Sequence, residues 1–195
     1  KLEAPSSKAF YLFPTKALSQ DQMFELQNFI QRIEASVATF TYDGDTPQDA
    51  RKAIRARGHI VLTNPDMLHV GILPNHQSWS RLLRSLKYVV IDEGHIYRGV
   101  FGSHVADVVR RLKRVCAYYG ASPHFICCTA TIANPQEHVE RLTGLPFEVV
   151  GEHYGAGKLK KTMGYPIRVW QLRQWLKDKD VDVAMSQSSF HSPVA

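Results

Sequence analysis

Short apolar segments alternate with longer amphipathic segments along most of this chain, and this alternation constrains the fold more than any other feature. The apolar segments have the length of β-strands: Ala9–Phe13, Val37–Tyr42, His59–Thr63, Tyr88–Asp92, Phe125–Thr129 and Phe147–Val150. Tyr88 to Ile91 are apolar throughout, which is typical of a central strand buried on both faces. The pattern predicts an α/β domain of three layers, in which helices cover a mainly parallel sheet.

Polar signals mark where the intervening helices begin. Ser19 can cap a helix with Gln22 reaching back, Thr46-Pro47 can open a second helix, and Asn134-Pro135 a third. Between His104 and Tyr119 the apolar residues form one stripe, as in a helix that packs on a core. The basic residues on its other side are Arg110, Arg111, Lys113 and Arg114. We interpret them as a solvent-facing surface, with a nucleic-acid contact as the alternative.

The composition narrows the class of protein. The chain has 195 residues and a net charge of +6, which favours a polyanionic partner. No apolar run reaches the roughly 20 residues of a membrane span. The three cysteines, Cys116, Cys127 and Cys128, suit neither a disulfide framework nor a zinc site, so we expect a cytoplasmic protein. Residues 1–150 are expected to form the domain, and residues 151–195 an extension of unassigned role.

Two acidic residues follow the most apolar strand directly, in the sequence Asp92-Glu93-Gly94-His95. In open α/β sheets, ligands bind beyond the carboxyl ends of the strands, where these acids are expected. An aspartate there can hold Mg²⁺ through water, and the neighbouring glutamate can orient and deprotonate an attacking water. The alternative is a pair of acidic residues that simply starts a loop.

Four further segments follow strands in the same way. Thr129-Ala130-Thr131 ends the next strand, where its hydroxyls can reach the acids, although a merely polar strand end is the alternative. Phe13–Leu18, Tyr42–Thr46 and Thr63–Leu68 are turns that lead from a strand into a helix. Such turns offer backbone N–H groups that bind phosphates, although each alone can be an ordinary capped helix start. Together they predict a track for a nucleic-acid backbone.

In this order, the motifs resemble those of the superfamily-two helicases of the DEAD/DExH class. Pro14–Leu18 resembles motif Ia, Asp43–Thr46 the glycine-containing backbone-contact motif, and Thr63–Leu68 motif Ib. Asp92–His95 resembles motif II, or Walker B, and Thr129–Thr131 motif III. The resemblance covers roughly residues 9–150.

The resemblance is closer still to the mitomycin repair factor A (YprA-like) branch of this class. The segments that carry it are Tyr11–Leu18, Thr63–His69, Tyr97–His104 and Thr129–Pro135. It implies a RecA-like motor domain from an ATP-dependent DNA helicase of the DNA-repair type. It also implies that ATP and Mg²⁺ are the cofactors, and that DNA, single-stranded or duplex, is preferred over RNA. No membrane partner is expected, because no apolar run is long enough to span one.

The resemblance further implies roles for individual residues. Asp92 would bind Mg²⁺–ATP through water, and Glu93 would activate the attacking water. His95 would couple hydrolysis to DNA together with Thr129 and Thr131, which would also lie beside the nucleotide. The residues expected to hold the DNA backbone are Pro14, Thr15, Lys16, Gly44, Thr63, Asn64, Pro65 and Asp66.

The sequence departs from the family pattern in the loop that binds ATP phosphates. A Walker A loop is expected ahead of Phe10, and the nine residues there contain none. Gly157-Lys158-Leu159 is no substitute, because Glu152 stands where the first glycine belongs and Leu159 where Ser or Thr must bind Mg²⁺. The second RecA-like domain and its arginine finger are not recognisable either. We therefore expect an N-terminally truncated RecA-like domain that hydrolyses no ATP by itself. Gly94 is a smaller departure, since members of the branch more often carry a larger residue there.

Two alternative functions remain from the sequence. A non-catalytic fragment that binds nucleic acid is favoured by the missing Walker A loop, and ATP turnover would discriminate against it. The second is an ATP-dependent translocase that moves on duplex DNA without separating the strands. A strand-displacement assay would distinguish it from a helicase.

Overall fold

The structure, a computed structural model, describes residues 6–130, 132–150 and 183–187. Within these ranges seven strands form one sheet in the order β2-β3-β1-β4-β5-β7-β6, and every strand pairing is parallel. The strands are β1 (Lys8–Leu12), β2 (Thr39–Thr41), β3 (Ile60–Thr63), β4 (Leu86–Ile91), β5 (His124–Ala130), β6 (Glu148–Val150) and β7 (Val183–Gln187). The α/β fold with a parallel sheet, predicted from the alternation of segments, is confirmed.

Helices connect the strands and cover both faces of the sheet. They are α1 (Lys16–Arg32), α2 (Gln48–Arg57), α3 (Pro65–Met67), α4 (Ser80–Arg84), α5 (Gly99–Tyr118) and α6 (Pro135–Thr143). Short helical turns over Leu68–Ile72, Leu73–Trp79 and Gly94–Ile96 complete the connections. None of the helices in the described ranges combines the length and the apolar character that crossing a membrane requires.

The strand alternation divides the core into two clusters, one on each face of the sheet. On β1, Phe10 and Leu12 join the larger cluster, while Tyr11 and Phe13 join the smaller one. Val90 of β4 belongs to the smaller cluster, whereas its neighbours in β4 pack into the larger cluster. Because side chains alternate between the two faces of a strand, a strand that is apolar at every position is buried on both. The prediction of a central β4 is therefore confirmed.

Helix α1 begins earlier than the sequence analysis predicts. Thr15 is its N-cap, and the Thr15 Oγ1 accepts a hydrogen bond from the Leu18 N–H at 3.4 Å. Ser19 lies inside the first turns, where its hydroxyl donates to the Lys16 carbonyl at 2.7 Å. The capping prediction for Ser19 is wrong, because a serine can bond to the carbonyl of the preceding turn as well as cap a helix. The consequence is that Lys16 lies in the first turn of a helix.

The C-terminal part of the sheet contains one strand that the sequence analysis does not predict. Strand β7 pairs with β5, from Ile126↔Val183 to Ala130↔Gln187, and with β6. The described sheet therefore includes a strand from the segment that follows residue 150. The Gly157–Leu159 segment lies outside the described residues.

Candidate functional site

The carboxyl ends of five parallel strands, β1 to β5, bring the sequence motifs to one edge of the sheet. Leu12 at the end of β1 lies in register with Thr63 of β3 and with Ile91 of β4. The Asp92 N–H donates to the Leu12 carbonyl at 2.9 Å, which joins Asp92 to the end of β1. Strand β5 lies beside β4 and ends at Ala130. The residues of the predicted motifs are therefore neighbours in space as well as ordered in sequence.

The two acids face different surroundings. Asp92 is buried, with 5% of its surface exposed, whereas the Glu93 side chain is 32% exposed. Glu93 has φ +50° and ψ +41°, a left-handed conformation that few residues other than glycine adopt. Such conformations persist where the surrounding structure holds them, and they cluster at functional sites. Here the left-handed turn separates the two carboxylates immediately after the strand.

Asp92, Glu93 and Gly94 form a turn that is called the acidic turn below. His95 links this acidic turn to the end of β5 through a single ring nitrogen. Its Nδ1 lies 3.2 Å from the Glu93 Oε2 and accepts the Ala130 N–H at 3.3 Å. The bond from Ala130 requires Nδ1 without a proton, whereas attraction to the Glu93 carboxylate is strongest when Nδ1 carries one. The two partners of His95 therefore compete, and the competition joins the acidic turn to the strand end that resembles motif III.

Gly94 packs so closely on β5 that it has no room for a side chain. An added Cβ would lie 2.6 Å from the Cys127 Sγ and 3.3 Å from the Cys128 carbonyl oxygen. The Gly94 carbonyl accepts a hydrogen bond from the His138 Nε2 at 2.8 Å. The glycine at this position is thus matched to a thiol beneath it. The sequence analysis missed the contributions of Cys127 and His138, because neither belongs to a recognisable motif.

The threonines after β5 are only partly described. Thr129 is 1% exposed, and its hydroxyl donates to the Ala130 carbonyl at 3.2 Å. Thr131 lies outside the described residues. The structure therefore places Thr129 at the same edge of the sheet as Asp92 and Glu93.

Lys16 is ion-paired with the turn after β2. Its Nζ hydrogen-bonds the Asp45 carboxylate and lies 3.8 Å from the Asp43 Oδ2. The hydrogen bond with Asp45 raises the pKa of Lys16, and the same bond lowers the pKa of Asp45. Gly44 is exposed between these two acids, and its carbonyl accepts a bond from the Arg51 Nη2 at 3.1 Å. An open groove of about 480 Å³ borders Lys16 and this turn.

The turn after β3 holds its polar side chains in local bonds. Thr63 is 3% exposed, and its hydroxyl donates to the Tyr42 carbonyl at 2.7 Å, so it joins the end of β3 to β2. The Asn64 Oδ1 accepts the Met67 N–H at 2.6 Å as the cap of α3. Pro65 is buried, and Asp66 is exposed. Pro14 and Thr15 are half-buried and exposed, respectively, at the start of α1.

Tyr97 fills the space beneath the acidic turn. Its ring is 1% exposed, and its hydroxyl has no hydrogen-bond partner within the described ranges. Burial raises the pKa of Tyr97, as do the nearby Cys127, Asp92 and Glu93. The hydroxyl of Tyr97 therefore stays neutral in the folded protein.

The donor set of the site fits a magnesium ion held mainly by water and phosphate. In the part of the chain that the structure describes, no group of three or more His, Cys, Asp or Glu side chains is arranged to hold a metal. Mg²⁺ usually keeps several waters and binds through one or two carboxylates together with substrate phosphates. Asp92 can supply one such carboxylate at the edge where the strands end.

Comparisons with known proteins agree with this arrangement. Residues 1–139 match the model of the family described as DEAD/DEAH box helicase. The chain is 57% identical over 148 residues to the uncharacterized ATP-dependent helicase YprA of Bacillus subtilis. It is 45% identical over 148 residues to the ATP-dependent helicase HRQ1 of Saccharomyces cerevisiae. These matches cover 76% and 74% of this chain but only 20% and 14% of the two relatives.

Solved structures give the same result at the level of the fold. The crystal structure of the DUF1998 helicase MrfA bound to DNA matches 75% of this chain at 53% identity and a TM-score of 0.70. MrfA bound to DNA and AMPPNP matches 88% of this chain at 45% identity and the same TM-score of 0.70. The chain spans about a quarter of each solved chain, 23% and 26% respectively. With its family motifs at one edge of a parallel sheet, this chain belongs to the DEAD/DEAH box helicase family.

Proposed function

We propose that this chain is the first RecA-like part of an ATP-dependent DNA helicase, in which it supplies the acids for ATP hydrolysis and part of the DNA track. One observation carries the proposal. A buried Asp92 and a partly exposed Glu93, separated by a left-handed turn, stand at the edge where the turns after β1 and β3 also lie. Phosphate-binding turns beside an acidic pair are what phosphoryl transfer coupled to a nucleic-acid backbone requires.

The two acids divide the work of hydrolysis. Asp92 would hold Mg²⁺ through water, and the ion supplies charge neutralisation on the phosphates when bound. Glu93 is partly open to solvent, so it can orient a water molecule and accept its proton. His95 lies within hydrogen-bond reach of Glu93 and of the Ala130 N–H, so a change in one contact changes the other. Together with Thr129 and Thr131, it would couple the state of the nucleotide to the DNA track.

The DNA track begins with α1. Because α1 is 17 residues long, its first turn combines N–H groups at the positive end of the helix dipole with the cation of Lys16. A DNA phosphate would displace Asp45 from Lys16 and pass beside Gly44. At the second turn, Asn64, Pro65 and Asp66 would line the strand, while the buried hydroxyl of Thr63 would hold the turn in place. Pro14 and Thr15 would complete the contact at the first turn.

The proposal extends to the cell compartment and the partners of the intact protein. The three cysteines are free and buried, as expected for a cytoplasmic protein. Single-stranded DNA is the proposed partner of the track, and a second RecA-like domain would supply the arginine finger in the intact helicase.

A chimeric helicase tests the proposed function. In this protein, residues 9–150 of the chain replace the matching region of YprA, so that the remaining parts of the motor are present. Glu93→Gln should lower DNA-stimulated phosphate release by about 10²–10⁴-fold, the usual contribution of a positioned base, while ATP still binds. Glu137→Gln, the same chemical change on the exposed surface of α6, should leave the rate unchanged. Hydrolysis by Glu93→Gln at the parent rate would show that Glu93 is not the base.

A further inference from the structure

The opposite edge of the sheet, where the strands begin, carries cations that the proposed site does not use. The Lys8 N–H donates to the Ser85 carbonyl at 2.8 Å, which places the start of β1 beside the junction of α4 and β4. Arg81 and Arg84 lie on α4, and Lys87 is the second residue of β4. We name Lys8, Arg81, Arg84 and Lys87 the basic edge. Strand β5 is seven residues long, about 20 Å, so the basic edge is a surface separate from the acidic turn.

Acidic residues are missing from the two segments that supply Arg81, Arg84, Lys87 and Tyr118 to this surface. Neither residues 67–91 nor residues 108–136 contain an Asp or a Glu. Burial and the charge of Arg81 lower the pKa of Lys8, and burial with the charges of Lys8 and Arg81 lowers the pKa of His59. Every charged neighbour behind these two shifts is a cation. Around Lys8 and His59 the field is therefore positive, which suits a polyanion.

Aromatic rings lie beside two of the cations of the basic edge. The Arg84 guanidinium lies 5.8 Å from the ring centroid of Tyr119, and the Lys87 Nζ lies 5.8 Å from that of Tyr88. Tyr118 packs edge-on against Tyr119, with ring centroids 5.0 Å apart, and is itself 78% exposed. Exposed rings beside a positively charged surface are how proteins stack the bases of single-stranded nucleic acid. An acidic protein segment would use the cations but would not need the rings.

Stabilisation of a helix C-terminus does not explain the presence of all four cations at the basic edge. Basic residues often stabilise the negative end of a helix dipole. Helix α4, however, has only five residues and hence a small dipole, and Lys8 and Lys87 lie on strands. Stabilisation of helix ends therefore does not explain the positive charge of the basic edge.

We propose that the basic edge, with the exposed ring of Tyr118, is a second surface for single-stranded nucleic acid. Its four cations bind backbone phosphates, and Tyr118 stacks on a base. The proposal is independent of the DNA track, because the two surfaces share no residue and lie at opposite ends of the strands. A nucleic-acid strand bound at both surfaces would contact the domain at the basic edge as well as at the DNA track.

Fluorescence anisotropy with a fluorescein-labelled oligo-dT tests the proposal in the full 195-residue chain. For four phosphate contacts on single-stranded DNA, log K should fall with log salt with a slope contribution of about −2.8. Arg81→Ser with Arg84→Ser should lower the magnitude of the slope by about 1.4. Tyr118→Ala should weaken binding roughly 5- to 150-fold without changing the slope. The charge-matched control is Arg110→Ser with Arg141→Ser, since both arginines pair with acids on their own helices.

The outcomes separate this surface from the track. A slope that falls in Arg81→Ser/Arg84→Ser but not in the control, with weaker binding by Tyr118→Ala, supports the proposal. If the arginine variant behaves like the control, the proposal is overturned, even if Lys16→Ser still weakens binding through the track. Binding of poly-glutamate that depends on the arginines and equals that of oligo-dT, with no effect of Tyr118→Ala, would identify an acidic protein partner and would also overturn it. Lys16→Ser without effect would count against the track alone.

Discussion

The contact between Gly94 and Cys127 makes a quantitative prediction about the acidic turn. In Gly94→Ala the new methyl group would lie 2.6 Å from the Cys127 Sγ, about 1 Å inside the separation at which non-bonded heavy atoms attract. The Cys128 carbonyl oxygen at 3.3 Å limits movement to the side, and Cys127 is fixed by pairing with Ile91 of β4. Overpacking of this kind costs about 1–3 kcal/mol, so we expect Gly94→Ala to lower the free energy of unfolding by about 2 kcal/mol.

Removing the sulfur should rescue this substitution. Cys127→Ala deletes one buried heavy atom and should cost about 1 kcal/mol alone. In the double variant the methyl group added by Gly94→Ala occupies the space that the sulfur leaves, so the total cost should be about 1 kcal/mol rather than about 3 kcal/mol. Urea unfolding of the four proteins measures the coupling free energy, expected to be about 2 kcal/mol.

A second buried thiol provides the control. Cys116 lies near the end of α5, 17 residues beyond Gly99, where that helix begins close to the acidic turn. The distance along the helix axis from Gly99 to Cys116 is therefore about 26 Å. Gly94→Ala combined with Cys116→Ala should therefore show costs that add within about 0.5 kcal/mol. If Gly94→Ala and Cys127→Ala are equally additive, the methyl group does not meet the sulfur, and the reasoning from the close contact is refuted.

The remaining predictions concern other buried and paired groups. Tyr97→Phe should raise the free energy of unfolding by about 1 kcal/mol, because it removes a buried hydroxyl without a partner in the described ranges; a loss of stability in urea unfolding would show that the hydroxyl is bonded. Burial raises the pKa of Cys116 to about 12, so the contribution of its neutral thiol to the free energy of unfolding is full below about pH 9 and is lost as the pH rises toward about 12. The free energy of unfolding of Cys116→Ala should therefore depend less on pH over that window, and an unchanged pH dependence would contradict this. Asp45→Asn should tighten oligo-dT binding by freeing Lys16, whereas weaker binding would place Asp45 itself in the contact. The 195-residue chain should release no phosphate from Mg²⁺–ATP with saturating DNA, and turnover abolished by Glu93→Gln would reveal a phosphate-binding loop that the sequence does not show.

The parts of the fold that follow from local periodicity could be predicted from the sequence. The central position of β4 follows from an unbroken apolar run, and the place of Asp92 and Glu93 follows from the rule that ligands bind beyond the carboxyl ends of strands. The start of α1 could not be fixed in the same way, because Thr15 and Ser19 are both competent caps. Strand β7 could not be recognised in the same way, because its apolar run, Val183 to Met185, covers only three residues.

The contacts that shape the acidic turn depend on tertiary packing. Nothing in the sequence indicates that Cys127 lies under Gly94, or that His138, in a helix 44 residues later, donates to the Gly94 carbonyl. The left-handed conformation of Glu93 is equally hidden, because a glutamate does not favour it. Motifs therefore locate this site, whereas distant side chains determine its geometry.

The two edges of the sheet differ in how their function can be inferred. At the carboxyl edge the strand ends, helix starts and acids recur in a fixed order, so each motif supports the interpretation of the others. At the basic edge the cations come from β1, α4 and β4, and the ring of Tyr118 comes from the end of α5, with no shared spacing. The pairing of Lys8 with the α4–β4 junction and the packing of Arg84 on Tyr119 bring them together. The absence of Asp and Glu from residues 67–91 and 108–136 leaves Arg81, Arg84 and Lys87 without an acidic partner in their own segments, and it is the feature of the sequence that points to this surface.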